Sequence, residues 1–364
     1  MVKKCWRSFR NIRSSNNLLN SVYLYNDSVY VCDIKKGGPM KLLIAGSGFI
    51  VEDWLPIAKD LPEITLSGIV STKRSQEKAE GMAKKFGIGK VFTDYDQALK
   101  ESEADTVYVA VPNFLHYEFT KKALLAGKNV ICEKPFTVKY VEFKELKKLA
   151  LEKKLVLLEA ITNQYLTNYQ EIKDKLDDLG PIKIVSMNYS QYSHRYDAFK
   201  RGEIQPVFDP KKGGGALMDL NIYNIHFIVG LFGMPKEVHY LANIQRGVDT
   251  SGILTLDYGD FKAVAIAAKD VGAPITSLIE GEKMSLVVNG APNVLDSFDL
   301  YHNSEKLEHF DKKVHSHRMY EEFAKFSKII AESDFDAVKT ALDHSDEVMQ
   351  ILQAACDDAG LELE

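Results

Sequence analysis

The chain has 364 residues, 46 Lys+Arg against 51 Asp+Glu and a formal net charge of −5. Apolar residues make up 45% and charged residues 27%, a globular balance that excludes collagen, coiled coil and wholesale disorder, and the length suits two domains of roughly 100–200 residues. Net negative charge does not favour nucleic acid, and no apolar run approaches the roughly 18–20 residues of a bilayer helix, so neither nucleic acid nor a membrane is expected as a partner.

Cys5, Cys32, Cys132 and Cys356 lie far apart, without CxxC or His-Cys spacing. That argues against a disulfide framework and a cysteine-based zinc site; no metal is expected, and a reducing, cytoplasmic setting is. Charge is unevenly spread. Residues 1–39 carry seven basic and two acidic residues, leaving 39 basic against 49 acidic, or −10, for the rest. Asn and Ser interrupt every candidate apolar stretch of this front, so it does not read as a signal peptide. It is expected to be a disordered or artefactual basic extension.

From residue 40 to about 160, apolar strand-like runs at 41–45, 64–70, 105–111, 129–132 and 155–158, with a weaker one near Val91, alternate with helical patterns at 75–86, 115–126 and 138–153. Strands that are apolar throughout, separated by helices, predict a doubly wound parallel sheet of Rossmann type over 40–160. Beyond 160 the rhythm changes. A helix is expected at 168–179, stopped by Gly180-Pro181, followed by strands at 182–192, 237–244, 252–258, 261–268, 276–280 and 284–288. Tight turns such as Tyr258-Gly259-Asp260 suggest hairpins, so 161–364 reads as an α+β domain with a large, mostly antiparallel open sheet. A helical segment at 215–231 interrupts it, and two more at 318–332 and 337–359 close the chain and are expected to pack back on the first domain.

The first strand runs into Gly46-Ser47-Gly48-Phe49-Ile50-Val51. A Gly-x-Gly between strand and helix lets a pyrophosphate approach the backbone and a helix N-terminus; Val51 replaces the third glycine of the usual pattern. The second strand ends in Ser71-Thr72-Lys73-Arg74 with no carboxylate. Hydroxyls and cations there suit a 2′-phosphate, so NADP is expected over NAD, with Ser71, Thr72 and Arg74 as contacts.

The strand at 129–132 ends in Glu133-Lys134-Pro135. The C-terminal strand ends of a doubly wound sheet line the ligand crevice, where a lysine can stabilise the alkoxide that develops during hydride transfer; Glu133 reads as the partner that orients it. After Gly213-Gly214-Gly215, Asp219, Tyr223 and His226 fall at i, i+4 and i+7 of the expected helix and so share one face. The alternative is a satisfied core network with Tyr223 bonded to Asp219.

Together, Gly46–Ile50, Pro112-Asn113-Phe114-Leu115-His116, Glu133-Lys134-Pro135 and Gly213–Asp219 resemble the Gfo/Idh/MocA oxidoreductase family over about residues 40–364. The resemblance implies a Rossmann domain and a C-terminal sheet that carries substrate and subunit contacts, giving a homodimer or homotetramer. It implies hydride transfer between nicotinamide C4 and a hydroxyl-bearing carbon of a sugar, cyclitol or related diol, with Lys134 as the catalytic lysine and Pro112 and Asn113 along the cofactor. Tyr223 stands where the inositol dehydrogenase branch places histidine and is similar to the dimeric dihydrodiol dehydrogenase branch, in which the position of His116 also faces the active site. The expected site is therefore Lys134, Tyr223 and Asp219 for catalysis. Gly46, Ser47, Gly48, Phe49, Ile50, Ser71, Thr72, Arg74, Pro112, Asn113, His116, Glu133 and Lys134 are expected at the cofactor, and Gln164, Tyr192, Arg195 and Tyr223 at a small polyhydroxylated substrate. Whether Lys134 or Tyr223 carries the proton stays open. The alternative function is a catalytically silent NADP-binding sensor of the same fold.

Overall fold

The computed structural model describes residues 38–362, together with the backbone of two short strands, β1 (Ser21–Tyr25) and β2 (Ser28–Cys32), which pair antiparallel. The basic extension expected over 1–39 otherwise lies outside the described residues. The hairpin is an addition to that expectation: Ser-Val-Tyr opens both five-residue strands, on either side of Asn26-Asp27.

The next six strands are β3 (Met40–Ala45), β4 (Ile64–Val70), β5 (Val91–Phe92), β6 (Thr106–Val109), β7 (Asn129–Glu133) and β8 (Leu157–Ala160). All pair in parallel, in the spatial order β5-β4-β3-β6-β7-β8. This is the doubly wound order in which the chain reverses direction beside the first strand, opening a crevice there. The helices between them are α1 (Phe49–Trp54), α2 (Gln76–Phe86), α3 (Tyr95–Glu101), α4 (His116–Leu125) and α5 (Tyr140–Lys153). Apart from the exposed Lys41, β3 and β6 are buried, which explains their mostly apolar sequence: parallel strands covered on both faces leave little room for polar side chains.

After α6 (Thr167–Lys175), the second sheet is built from β9 (Ile182–Ser190), β10 (Glu237–Gln245), β11 (Val248–Asp257), β12 (Lys262–Ala268), β13 (Thr276–Gly281), β14 (Ser285–Asn289), β15 (Ser297–His302) and β16 (Glu305–Phe310). Its order is β10-β11-β12-β9-β13-β14-β15-β16, and only the β12–β9 pair is parallel. The last two strands were not expected. β16 is an edge strand, exposed at Glu305 through His309, so its composition is polar and carries little apolar alternation. Between β9 and β10 the chain forms α7 (Tyr196–Lys200), then a π turn at Leu217–Asn221 that continues as α8 (Ile222–Phe232). The segment Pro210–Phe232 is long and apolar enough to span a membrane by length and composition, but most of it is buried inside the protein, as a core helix.

The closing helices α9 (Met319–Glu332) and α10 (Phe335–Ala359) return to the parallel sheet. Arg318 donates to Asp53 at 2.8 Å, and Lys147 on α5 is paired with Asp343 and Asp346 of α10 at 2.8 and 2.6 Å. One continuous apolar core includes both sheets and these helices.

Candidate active site

The site sits at the C-terminal ends of the parallel strands. Gly46 follows β3 with φ of +124°, and a Cβ built there would lie 2.3 Å from the Ala110 carbonyl, so no other residue fits. A Cβ on Gly48 would meet nothing within 4 Å; the backbone is open on the side where the groove lies. That groove, of about 610 Å³, is lined by Gly46–Ile50, Ser71, Thr72, Lys73, Ser75, Pro112 and the apolar Val70, Tyr95, Ala110, Val111, Leu115 and Phe119. Its size and mixed lining suit a dinucleotide, so the residues present fit the cofactor that the glycine turn implies.

Three expected cofactor contacts are placed differently. Lys73, not Arg74, is among the residues lining the groove; both belong to the 3-10 turn Lys73–Ser75. His116 is fully buried, with Nδ1 2.8 Å from the Pro135 carbonyl and Nε2 2.9 Å from the Val111 carbonyl. It clamps the Lys134-Pro135 turn to the end of β6 and does not line the groove. Asn113 likewise turns its amide to the Gly213 carbonyl, at 2.9 Å, tying the first domain to the glycine run of the second.

Lys134 extends from the end of β7 toward the π turn. Its Nζ donates to the main-chain oxygen of Asp219 at 2.9 Å and to Asp219 Oδ1 at 3.0 Å. It also lies 4.8 Å from the centre of the Tyr223 ring. Glu133 is not its hydrogen-bond partner: the Glu133 side chain points to the opposite side of the strand, as alternation requires, and accepts from Tyr108 Oη at 2.5 Å. Asp219 and Tyr223 converge as expected, but His226 does not join them. It is buried against Glu159 at 3.5 Å and His344 at 2.9 Å. The π turn inserts an extra residue into the helical repeat across Asp219, so spacing counted as continuous α-helix overestimates the shared face.

A residue outside the expected set completes the cluster. Lys269, just beyond β12 and only 2% exposed, donates to Asp219 Oδ2 at 2.7 Å and to the Val207 carbonyl at 2.9 Å. A signal was present in the sequence, since Lys269 ends an apolar strand just as Lys134 does. Burial opposes the charge on Asp219, but Lys134 and Lys269 outweigh it and hold the carboxyl well below the usual range. Burial likewise opposes the Lys134 ammonium; the Tyr223 oxygen and Asp219 outweigh it, and the net shift is upward. Tyr223 is pushed up by burial, with Lys134 opposing.

The expected substrate residues are divided. Tyr192 is exposed and bonds Asp197 at 2.9 Å, and Arg195 caps α7; neither makes a hydrogen bond or ring contact to Lys134, Asp219 or Tyr223. Gln164 lies elsewhere. It donates to the His226 carbonyl at 2.8 Å and lines a separate cavity of about 650 Å³ with Glu159, His344 and Ser345, because the short helical turn after β8 carries it behind α8. Tyr189, unnoticed in the sequence, places its ring 6.0 Å from that of Tyr223.

The arrangement can hold a dinucleotide along the glycine turn after β3 and, at the end of β7 two strands away, present an ammonium, a phenol and a partly buried carboxylate. Comparison with known proteins agrees. Residues 40–161 match the family model of the Gfo/Idh/MocA oxidoreductases with an NAD-binding Rossmann fold, and 169–287 match the model of that family's C-terminal domain. The chain belongs to the Gfo/Idh/MocA family. It is therefore an oxidoreductase with an NAD(P)-binding Rossmann domain. It is 30% identical to scyllo-inositol 2-dehydrogenase (NADP(+)) IolU of Bacillus subtilis, over 88% of this chain and 98% of that one. It is 25% identical to a trans-1,2-dihydrobenzene-1,2-diol dehydrogenase of Xenopus tropicalis, over 72% and 82%. Among solved structures it resembles KijD10, a 3-ketoreductase from Actinomadura kijaniata in complex with NADP and TDP-benzene, with a TM-score of 0.78, 21% identity and coverage of 88% and 98%.

Proposed function

We propose that this protein interconverts a secondary alcohol and a ketone on a polyhydroxylated ring (a cyclitol, sugar or related diol) using NADP(H). The observation that carries this reading is the Lys134–Asp219 pair, with Tyr223 beside it, at the strand end next to a groove of dinucleotide size. NADP rather than NAD is favoured because Lys73, Ser71, Thr72 and Ser75 line one end of that groove and no carboxylate is among its described lining residues. The B. subtilis relative, named as NADP-dependent and acting on an inositol, supports both parts.

A bound nicotinamide supplies or accepts the hydride; the protein's own groups manage the oxygen and its proton. Lys134 Nζ, held by Asp219, donates a hydrogen bond to the substrate oxygen and stabilises the charge that develops there. The Tyr223 hydroxyl, with no hydrogen-bond partner among the described residues, is the second donor. Both groups are shifted upward, so both hold their protons near neutrality and can give one to a new alkoxide. Tyr189, whose ring lies 6.0 Å from that of Tyr223, offers a contact for a hydroxylated ring.

The second sheet also supports a homo-oligomer. Leu241 and Ile253 are direct cross-strand neighbours, 69% and 42% exposed, with Ile184 and Ile244 exposed on the same sheet. Light scattering after size exclusion reads this directly, and a monomer at micromolar concentration removes it. The function itself is tested by fluorescence titration with NADPH and NADH, then by an inositol, sugar and trans-diol panel scored by absorbance of reduced nicotinamide. Tight NADPH binding with no turnover of any ring polyol or its ketone overturns the substrate class.

A further inference from the structure

Asp219 is shared between two ammonium groups. Oδ1 faces Lys134 at 3.0 Å and Oδ2 faces Lys269 at 2.7 Å. A lysine with its whole side chain buried must have its charge compensated, and among the described residues the one carboxylate within salt-bridge distance of Lys269 is already engaged by Lys134. The cluster of three therefore carries a net charge of +1. A leucine or methionine at 269 would have left Asp219 and Lys134 as a neutral pair. The second hold on Lys269 is the Val207 carbonyl at 2.9 Å, and its Nζ lies 4.8 Å from the Phe208 ring centre, so it also ties the 206–208 turn to the carboxylate.

We propose that Lys269 is a positioning residue that divides the Asp219 carboxylate between two cations, so that Lys134 faces the substrate oxygen with its charge only partly neutralised. This rests on the reading of Lys134 as the donor to that oxygen. A carboxylate devoted to Lys134 alone would bind both its protons and its charge more tightly, weakening the hydrogen bond it can give to a developing alkoxide. Lys269 also prevents Asp219 from rotating, since each carboxylate oxygen has its own partner. Other charged or titratable groups face the cluster: Glu133 beside Lys134, His116 on α4, Tyr223 on α8, Tyr189 on β9, Asp249 on β11 and Arg318 at the start of α9. None of them touches the second oxygen of Asp219, so Lys269 alone sets how the carboxylate is divided.

The test reads the acidity of Lys134 without needing any substrate or cofactor, so it stands whether or not a turnover partner has been found. Competitive labelling with acetic anhydride at a series of pH values, followed by peptide mass spectrometry, gives the relative reactivity of Lys134 in the wild type, Lys269→Gln and Lys269→Arg. Lys269→Gln keeps donors for Asp219 and Val207 but removes the charge. It is expected to lower the labelling of Lys134 at pH 9 by about three- to tenfold, a rise in its affinity for a proton of about 0.5–1 pH unit, while Lys269→Arg stays within twofold of the wild type. Where an active substrate is in hand, Lys269→Gln lowers kcat and leaves the dissociation constant of NADPH unchanged. Equal or increased labelling of Lys134 in Lys269→Gln, in protein whose thermal unfolding remains cooperative, overturns the proposal. If Lys269→Gln does not fold, Lys269→Arg decides by itself: a change in Lys134 labelling beyond threefold despite retained charge overturns charge sharing.

Discussion

Lys134 is bound to Asp219 at two points of the same residue, the main-chain oxygen at 2.9 Å and Oδ1 at 3.0 Å. The main-chain contact depends on the π turn that carries Asp219, and the turn in turn is fixed from below. Asp249 Oδ2 accepts from the Leu217 amide at 2.7 Å and from Tyr240 Oη at 2.7 Å. Gly215 leaves room for this, since a Cβ there would lie 1.9 Å from Asp249 Oδ1. The ammonium is thus aimed by backbone geometry as well as by charge, which is the preorganisation that electrostatic catalysis requires.

Lys134→Met removes the donor and leaves the groove residues untouched. A loss of about 10²–10³-fold or more in kcat is expected, the scale for a preorganised donor to a developing oxyanion. NADPH affinity should remain within a few-fold, because no groove contact is changed. Wild-type turnover in Lys134→Met would show that the ammonium is not part of the chemistry.

The rate should depend on pH in opposite ways for the two directions. Lys134 and Tyr223 are both shifted upward from ordinary values near 10, so both remain protonated through neutrality. Ketone reduction needs that proton and is expected to be flat from about pH 6 to 9. Alcohol oxidation needs a group that can take one and should rise with pH across the same range. Initial rates in buffers of constant ionic strength measure this, and an oxidation plateau below about pH 7.5 would assign the proton to a different group.

Much of this organisation was legible in the sequence because it follows from local pattern. Unbroken apolar strands, a glycine turn and a lysine at a strand end sit where a doubly wound sheet must place its ligand. What escaped depends on long-range packing. The π turn is invisible to helical periodicity, so the spacing groups His226 with Tyr223 although its side chain packs against Glu159 and His344. Lys269 is 50 residues from Asp219, and nothing local distinguishes it from a surface lysine except the strand it ends. His116 and Asn113 have the right positions in the chain, but their side chains are consumed by main-chain carbonyls. Residue type alone cannot tell a ligand contact from a clamp.

Asp249 gives the fold a pH dependence of defined sign. Burial pushes its carboxyl up to about 6, against the hydrogen bonds from Tyr240 and Leu217 and the charge of Lys269. A folded-state value above the unfolded one of about 3.9 means the contribution to stability is fully present below about pH 4 and is lost as pH rises through 6. The gap of about two units amounts to about 3 kcal/mol. Asp249→Asn cannot ionise, so its urea midpoint relative to wild type should improve by that scale between pH 4 and 7. Parallel midpoints for the two proteins across this range would rule out Asp249 as the titrating group.

The two glycines of the turn can be separated experimentally. Gly46→Ala places a Cβ 2.3 Å from the Ala110 carbonyl at a φ of +124°, so it should cost about 2 kcal/mol or more of stability and lower the thermal midpoint. Gly48→Val meets no protein atom within 4 Å of the new Cβ and should leave the midpoint within about 2 °C. It should nevertheless weaken NADPH binding at least tenfold, because the added side chain projects into the open side of the turn. Normal NADPH affinity in Gly48→Val would remove the turn from the cofactor site.

Cofactor choice should follow Lys73. This residue lines the groove beside Ser71, Thr72 and Ser75, and Arg74 is not among the lining residues. An exposed lysine opposite a phosphate contributes about 1 kcal/mol or somewhat more through a charge-assisted hydrogen bond. Lys73→Ala is therefore expected to weaken NADPH by about five- to tenfold and leave NADH unchanged, and Arg74→Ala should alter neither by more than about twofold. Titrations at two ionic strengths separate contact from general attraction, since only a diffuse effect of positive charge fades strongly between them. An equal loss for NADPH and NADH in Lys73→Ala would mean that this residue touches the shared part of the cofactor and not the 2′-phosphate.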